Sequence, residues 1–294
     1  MKRRPIGVLA LLALLACLAG AAAQEGPPSP DGPSPPDGDT ERIAPQVSAL
    51  PSLRTTGWNV SIETEDGVLL GGSLLEPDEP PSGFVLLLHM LARDREDWRA
   101  LAPALRDEGY GALALDLRGH GDSRTRRGEP YEFLNFLPGD FARLPLDVDA
   151  AASYLAPRAL SDPSRLAVVG ASVGAGAAIA WAAKHAGEVR ALVLLSPRWE
   201  FRGLSVREAV GAASEVPALV LAGEEEEHLD QAREIAQALA AGNPASRLVE
   251  IPPVGRHEEH GTALLSGGER GTEVRDTILA WIRERLGSPP PAGE

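Results

Sequence analysis

Short apolar runs that alternate with helix-like stretches constrain the fold of this 294-residue chain more than any other feature. The run 84–88 is continuously apolar, as expected of a strand buried on both faces. Comparable runs lie at 112–117, 165–169, 189–195, 218–221 and 248–251. Helical spacing is found at 96–108, 146–155, 174–186, 205–213, 229–240 and 273–286. Strands that alternate with helices predict an α/β fold with a mostly parallel central sheet and helices on both faces.

Two further features refine this predicted fold. Residues 59–64 and 68–75 flank Asp66-Gly67, a strong signal for a β-hairpin ahead of the alternating part. The interval between the apolar runs at 189–195 and 218–221 is too short for a large cap domain, so we expect an open site. In folds of this class, ligands bind beyond the carboxyl ends of the strands.

The two ends of the chain differ from this pattern. Residues 1–23 begin with basic side chains and continue with an apolar run too short to span a bilayer, which is typical of a secretory signal peptide. Residues 24–54 are rich in proline and glycine and predict a disordered tether, and 288–294 predict a disordered tail. The folded domain is therefore expected to span 55–287.

The signal segment allows two processing sites. Leu14-Leu15-Ala16-Cys17 resembles the lipobox of bacterial lipoproteins, in which the cysteine becomes the lipidated first residue. Cleavage after Ala23 would instead release a freely secreted or periplasmic protein. We expect export to the bacterial cell envelope, with membrane attachment only through a lipid on Cys17.

Composition excludes several classes of function. The formal net charge of −14 disfavours nucleic acid as a partner, because an acidic surface repels the phosphate backbone. Cys17 is the only cysteine, so the predicted domain has neither a disulfide nor a reactive thiol. No metal or cofactor motif is visible, and we expect no cofactor.

A serine between two glycines carries the main chemical signal. Gly170-Ala171-Ser172-Val173-Gly174 follows the apolar run at 165–169 and precedes the predicted helix. A sharp strand-to-helix turn exposes the serine as a nucleophile, and side chains at the two glycine positions would collide. The amino end of the helix also favours negative charge at that point. The alternative is a structural serine in a tight turn.

These motifs resemble the α/β-hydrolase superfamily, and especially the dienelactone-hydrolase-like serine esterases. The resemblance covers about 58–286 and includes three more marks: Leu87-Leu88-His89, the segment 115–123, and His260-Gly261-Thr262. It implies a triad in the chain order serine, acid, histidine, with Ser172 as the nucleophile. A histidine base and a carboxylate are needed because an unaided serine hydroxyl is a poor nucleophile.

The resemblance implies His260 as the base, with His257 able to exchange roles with it. For the acid, the usual register after Gly223 falls on Glu226, and Glu225, Glu227 and Asp230 remain alternatives. The alternative is that this segment is only a solvated acidic loop. We interpret the other histidines as structural or exposed: His89, His120, His185 and His228.

The resemblance also implies an oxyanion hole made of two backbone N–H groups. Val173 supplies one, and Leu91 is favoured over Met90 for the other. Most relatives have glycine at the Met90 position, so we expect the methionine to narrow the acyl pocket. Four aromatic residues are candidates for lining the site: Tyr131, Phe136, Trp199 and Phe201.

Three functions follow from this interpretation. The first is a serine hydrolase that cleaves a small-molecule ester, thioester or activated amide through an acyl-enzyme. The second is an acyltransferase that uses the same triad, and the third is a catalytically silent envelope protein with a hydrolase fold. For the first, an ordinary histidine pKa predicts that activity falls as pH falls through roughly 6–7.

Overall fold

A computed structural model describes residues 50–158, 165–224, 226–253, 260–266 and 268–287. These residues belong to one compact unit, Pro45–Glu294. The predicted signal peptide with Cys17, the predicted tether up to residue 49 and the predicted tail lie outside the described residues.

A mostly parallel sheet forms the centre of the fold. The strands are β1 Trp58–Glu63, β2 Val68–Leu75, β3 Phe84–Leu88, β4 Gly111–Leu115, β5 Thr125–Arg126, β6 Glu129–Pro130, β7 Leu166–Ala171, β8 Ala191–Leu195, β9 Glu200–Phe201, β10 Leu204–Ser205, β11 Ala218–Gly223 and β12 Arg247–Ile251. The sheet order is β12-β11-β8-β7-β3-β4-β2-β5-β6, and β1 pairs with β2. The six strands from β12 to β4 run parallel, whereas β1 and β2 form the predicted antiparallel hairpin.

Helices cover both faces of this sheet. The α-helices are α1 Leu53–Thr56, α2 Ala102–Asp107, α3 Pro138–Phe141, α4 Pro145–Leu155, α5 Val173–Ala182, α6 Val210–Ala213, α7 Leu229–Gly242 and α8 Gly268–Leu286. Short 3-10 segments lie at Arg95–Trp98, Phe133–Asn135, Ala186–Glu188 and Gly261–Leu265. Within the described residues, no helix has the length and apolar character needed to cross a membrane.

Each face of the sheet has its own hydrophobic core because successive strand residues point to opposite faces. Phe84, Leu86 and Leu88 of β3 join the core covered by α4, α5 and α7. Val85 and Leu87 join the opposite core, which is covered by α2 and α8. The structure thus confirms the predicted α/β architecture.

Two predicted helices differ from the structure. The helix expected over 96–108 is divided into the 3-10 segment Arg95–Trp98 and α2. Pro103 lies in the first turn of α2, where the missing N–H is harmless, whereas it would interrupt a continuous helix. The helix expected over 205–213 is reduced to α6, because its first residue belongs to the β9–β10 hairpin.

The ordered fold also begins before the predicted boundary at residue 55. Leu53 of α1 is fully buried, and its backbone N–H donates to Oε2 of Glu96 at 3.0 Å. The Ser52 hydroxyl donates to Oε1 of the same carboxylate at 2.8 Å, and Arg54 forms an ion pair with it at 3.1 Å. These contacts join segments far apart in sequence, so no local pattern indicates them.

Candidate active site

Ser172 lies in the strained turn between β7 and α5. Its φ of 52° and ψ of −111° are unusual for a residue with a side chain, and its N–H donates to the Leu195 carbonyl at 2.8 Å. A Cβ atom on Gly170 would lie 2.5 Å from the Gly174 carbonyl oxygen, and one on Gly174 would collide with the Leu88 carbonyl oxygen. The two flanking glycines therefore allow the turn that presents the serine.

The structure brings His260 to this serine. Its Nε2 atom lies 2.8 Å from Oγ of Ser172, within hydrogen-bonding distance. His260 precedes the 3-10 segment Gly261–Leu265, which packs against α8 and the ends of β8 and β11. A neutral imidazole in this position can accept the serine proton. His257, the alternative base, lies outside the described residues.

Glu226 is the acidic residue that faces His260. Its Oε2 atom lies 3.9 Å from Nδ1 of His260, and its side chain is almost fully buried. The alternatives differ: Glu227 and Asp230 have exposed side chains and face His228 and Arg233, respectively. Glu225 lies outside the described residues.

Ser196 is part of this arrangement, although the sequence interpretation missed it. It follows β8 directly and is fully buried. Its hydroxyl donates to Oε2 of Glu226 at 2.6 Å and accepts from the N–H of Gly261 at 2.9 Å. The available signal was a serine at the carboxyl end of an apolar run, the edge where ligands bind in α/β folds.

The two predicted oxyanion donors follow neighbouring strands of the sheet, Val173 after β7 and Leu91 after β3. Val173 is the first residue of α5, where a backbone N–H has no partner within the helix and the helix dipole favours an anion. Leu91 lies in the loop after β3 and packs partly buried against the core, next to Ala92 with a φ of 60°. This geometry is compatible with a two-donor site for negative charge.

Two buried histidines fix the loop that contains Leu91. Nε2 of His89 accepts from the N–H of Leu117 at 2.9 Å, so its Nδ1 carries the proton donated to the Met90 carbonyl at 2.7 Å. Nε2 of His120 likewise accepts from the N–H of Ala92 at 3.2 Å. Burial lowers the pKa of both histidines, to about 4 for His120. Both therefore act as neutral structural groups, in agreement with the sequence interpretation.

Met90 lies close to the proposed site. Its side chain is almost fully buried, in the core on the α8 face. A Cβ atom added to Gly261 would lie 2.7 Å from its sulfur atom, so Met90 packs beneath the segment that follows His260. A flexible thioether can fill such a gap without strain.

Burial changes the expected acid–base behaviour of His260. Desolvation lowers its pKa to about 4, nearby Arg198 and His228 act in the same direction, and Glu227 opposes them. The sequence interpretation assumed an ordinary histidine value, which ignores desolvation of the imidazolium. His260 is therefore neutral, and able to accept a proton, across the whole neutral range.

The remaining candidates have ordinary packing partners. Tyr131, Phe136, Phe141 and Phe201 form a chain of ring contacts with centroids 4.6 to 5.5 Å apart. The Trp199 indole donates to Glu234 at 2.7 Å. His185 stacks on Trp181, and His228 lies near Glu227. In the part of the chain that the structure describes, no cluster of His, Cys, Asp and Glu could hold a metal ion.

Comparison with known proteins indicates the family to which this chain belongs. A family model described as the α/β-hydrolase fold matches residues 83–211. An uncharacterised protein of Mycobacterium tuberculosis is 30% identical over 236 residues, which are 73% of this chain and 78% of that protein. A monoacylglycerol lipase of Mycolicibacterium smegmatis is 31% identical over 131 residues, which are 45% of this chain and 43% of the lipase.

A solved structure is similar in fold as well. The dienelactone hydrolase of Anabaena variabilis superposes with a TM-score of 0.58 at 24% sequence identity, covering 78% of this chain and 98% of that protein. At this identity the likeness concerns the fold. The matched family model spans both the strand before Leu91 and the turn that contains Ser172.

Proposed function

Because this chain belongs to the α/β-hydrolase family, we propose that it is a serine hydrolase that cleaves carboxylic esters or similar acyl bonds through a covalent acyl-enzyme. Family membership confirms the superfamily inferred from the sequence motifs, and with it a hydrolase. The serine mechanism and the individual roles are our proposal. The observation that carries it is the 2.8 Å contact between Oγ of Ser172 and Nε2 of His260.

In the first half-reaction, Oγ of Ser172 attacks the acyl carbon while Nε2 of His260 takes the hydroxyl proton. The carbonyl oxygen becomes an oxyanion, which the N–H groups of Val173 and Leu91 stabilise. His260 then gives its proton to the departing alcohol oxygen as the acyl–oxygen bond breaks. The product is an ester between the acyl group and Ser172.

In the second half-reaction, water replaces the alcohol. His260 removes a proton from the water as its oxygen attacks the acyl carbon, and it returns that proton to Oγ of Ser172 when the acyl–enzyme bond breaks. The carboxylate of Glu226 holds the imidazole in place and stabilises its positive charge in both steps. The overall reaction consumes one water and releases an acid and an alcohol.

Several observations support an active enzyme over a silent binding module. Ser172 has a strained backbone conformation at the amino end of α5. Such conformations are energetically unfavourable, and folded proteins retain them mainly at functional sites. The buried Glu226 faces a histidine that is neutral at neutral pH. The relative from Mycolicibacterium smegmatis is named for the cleavage of a carboxylic ester, which favours that substrate class here.

The test is covalent labelling with a fluorophosphonate probe, followed by assays with p-nitrophenyl esters of short and long acyl chains. The native protein should react once per chain and hydrolyse at least one ester. Ser172→Ala should abolish both, and Ser205→Ala, which removes an exposed hydroxyl on β10, should retain both. Labelling of the Ser172→Ala protein at the native rate would refute the proposal.

A further inference from the structure

Ser196 occupies a position where three segments of the site meet. It lies at the carboxyl end of β8 with a φ of 51°, and its N–H donates to the Leu221 carbonyl of β11 at 2.8 Å. Its side chain has no contact with solvent. A buried serine in the left-handed region of backbone space is uncommon, so both its position and its orientation are specific.

Chemistry fixes the direction of the two hydrogen bonds of the Ser196 hydroxyl. The N–H of Gly261 can only donate, so Oγ accepts from it at 2.9 Å. The Ser196 hydroxyl keeps its own proton and donates it to Oε2 of Glu226 at 2.6 Å. Ser196 thereby joins the acid to the residue that follows His260.

The Ser196 hydroxyl binds the same carboxylate oxygen of Glu226 that faces the imidazole of His260. Oε2 of Glu226 receives the Ser196 bond and is also the atom 3.9 Å from Nδ1 of His260. A glutamate side chain has several rotatable bonds, so holding its carboxylate in one place costs conformational entropy. A hydroxyl fixed to two neighbouring strands restricts that freedom.

Building on the proposed function, we propose that Ser196 is a positioning residue that holds Glu226 and the His260 segment in mutual register. It does not touch the substrate and transfers no proton. Its bond keeps Oε2 of Glu226 near Nδ1 of His260, and its acceptor lone pair fixes the backbone of Gly261. The glutamate and the serine therefore form one functional unit.

The alternative is that the hydroxyl only satisfies the buried N–H of Gly261. That role would make Ser196 matter for stability, with an effect on turnover that does not depend on the charge of Glu226. A role in positioning makes the two residues interdependent, and a double-mutant cycle measures that interdependence.

The experiment compares Ser196→Ala, Ser196→Gly, Glu226→Gln and both combinations, using p-nitrophenyl acetate turnover and the rate constant for fluorophosphonate inactivation. Glycine tolerates the positive φ, so Ser196→Gly removes the hydroxyl without added backbone strain. Ser246→Ala is the matched control, because that buried hydroxyl also accepts a backbone N–H, from Ala218 at the opposite end of β11.

We expect either Ser196 variant to lower kcat and the inactivation rate constant roughly 10–100-fold, with KM changed less than about twofold, because misplacement rather than binding is affected. In the Glu226→Gln background, the same Ser196 substitution should lower kcat less than about threefold, since the interaction of Ser196 with the Glu226 carboxylate is already lost. Ser246→Ala should retain kcat within about twofold.

Native turnover in a folded Ser196→Gly protein would overturn the proposal. An equal loss of kcat in the native and the Glu226→Gln backgrounds would also overturn it, because the Ser196 hydroxyl would then act independently of the acid. Failure of the proposed function is a separate result, seen as labelling or hydrolysis that survives Ser172→Ala.

Discussion

Nδ1 of His260 and Oε2 of Glu226 lie 3.9 Å apart, which is too long for a hydrogen bond although both side chains are largely shielded from solvent. Hydrogen bonds in active sites without substrate are often long and shorten when charge develops. In the proposed reaction His260 takes the serine proton, and attraction between imidazolium and carboxylate would then favour this shortening. The resting geometry is thus compatible with a triad that tightens during the reaction.

Removing the charge of Glu226 should slow the reaction far more than it weakens substrate binding. We expect Glu226→Gln to lower kcat by on the order of 10²–10⁴, by analogy with the triad acid of serine proteases, with little change in KM. Steady-state kinetics with an activated ester measure both constants. Glu227→Gln, which changes an exposed carboxylate, should lower kcat less than about tenfold. Native kcat in Glu226→Gln would place the acid elsewhere.

The pH profile should show an acid limb well below neutrality. The proposed mechanism requires a neutral His260 as the base, and its pKa is lowered to about 4 by desolvation, Arg198 and His228. We therefore expect kcat/KM to stay level from pH 7 to about 5 and to fall as pH falls through about 4. Circular dichroism at each pH should show that the protein remains folded. A limb near pH 6–7 would contradict the effect of burial on this histidine.

Burial of His120 should make stability depend on pH. Its pKa falls from 6.5 to about 4 on folding, chiefly through desolvation. Above pH 6.5 neither state binds the proton, and stability is full. As pH falls from 6.5 toward 4, only the unfolded state binds it, so the free energy of unfolding decreases by up to about 1.4 kcal/mol per pH unit for this residue.

Urea denaturation at several pH values between 4.5 and 7 measures that dependence. His120→Gln should show a shallower decrease than the native protein over the same interval, because one of the groups that titrates on unfolding is gone. An unchanged slope in the variant would mean that His120 does not contribute.

The glycine after the nucleophile turn should not tolerate a side chain. A Cβ atom on Gly174 would meet the backbone of Leu88 and His89, which cannot move without displacing β3. We expect Gly174→Ala to lose folding or several kcal/mol of stability. A Cβ atom on Gly211 in α6 would have no neighbouring atom within 4 Å, so Gly211→Ala should raise the free energy of unfolding by up to about 1 kcal/mol. Thermal melting of both variants tests this, and equal melting temperatures would contradict it.

The processing site remains a prediction from the sequence. If Cys17 is the lipidated first residue, the mature protein from its native host should begin there and carry the mass of its acyl groups. Cys17→Ser should then release it from membranes. Mass spectrometry of the amino-terminal peptide decides between this outcome and cleavage after Ala23, which leaves a free terminus at Gln24.

Local patterns predicted the elements well because each strand of the parallel sheet is a continuous apolar run, as β3 and β7 illustrate. They also placed Ser172 at a strand-to-helix turn, where the structure has it. The hydrogen bonds of Ser196 and the packing of Met90 could not be predicted, because both involve contacts with Gly261, far along the chain. The lowered pKa of His260 likewise depends on tertiary burial, which no short motif indicates.

The separation of Ser172 and His260 by 88 residues has a consequence during synthesis of the protein. The turn that contains Ser172 also needs β8, because the N–H of Ser172 donates to the Leu195 carbonyl, and the proposed base arrives later still, with the segment before α8. That segment packs against α8 as well as against the ends of β8 and β11, so its packing is complete only when the last helix docks. A chain that ends before residue 260 would therefore contain Ser172 without its proposed base, and the proposed function predicts that such a chain does not hydrolyse esters.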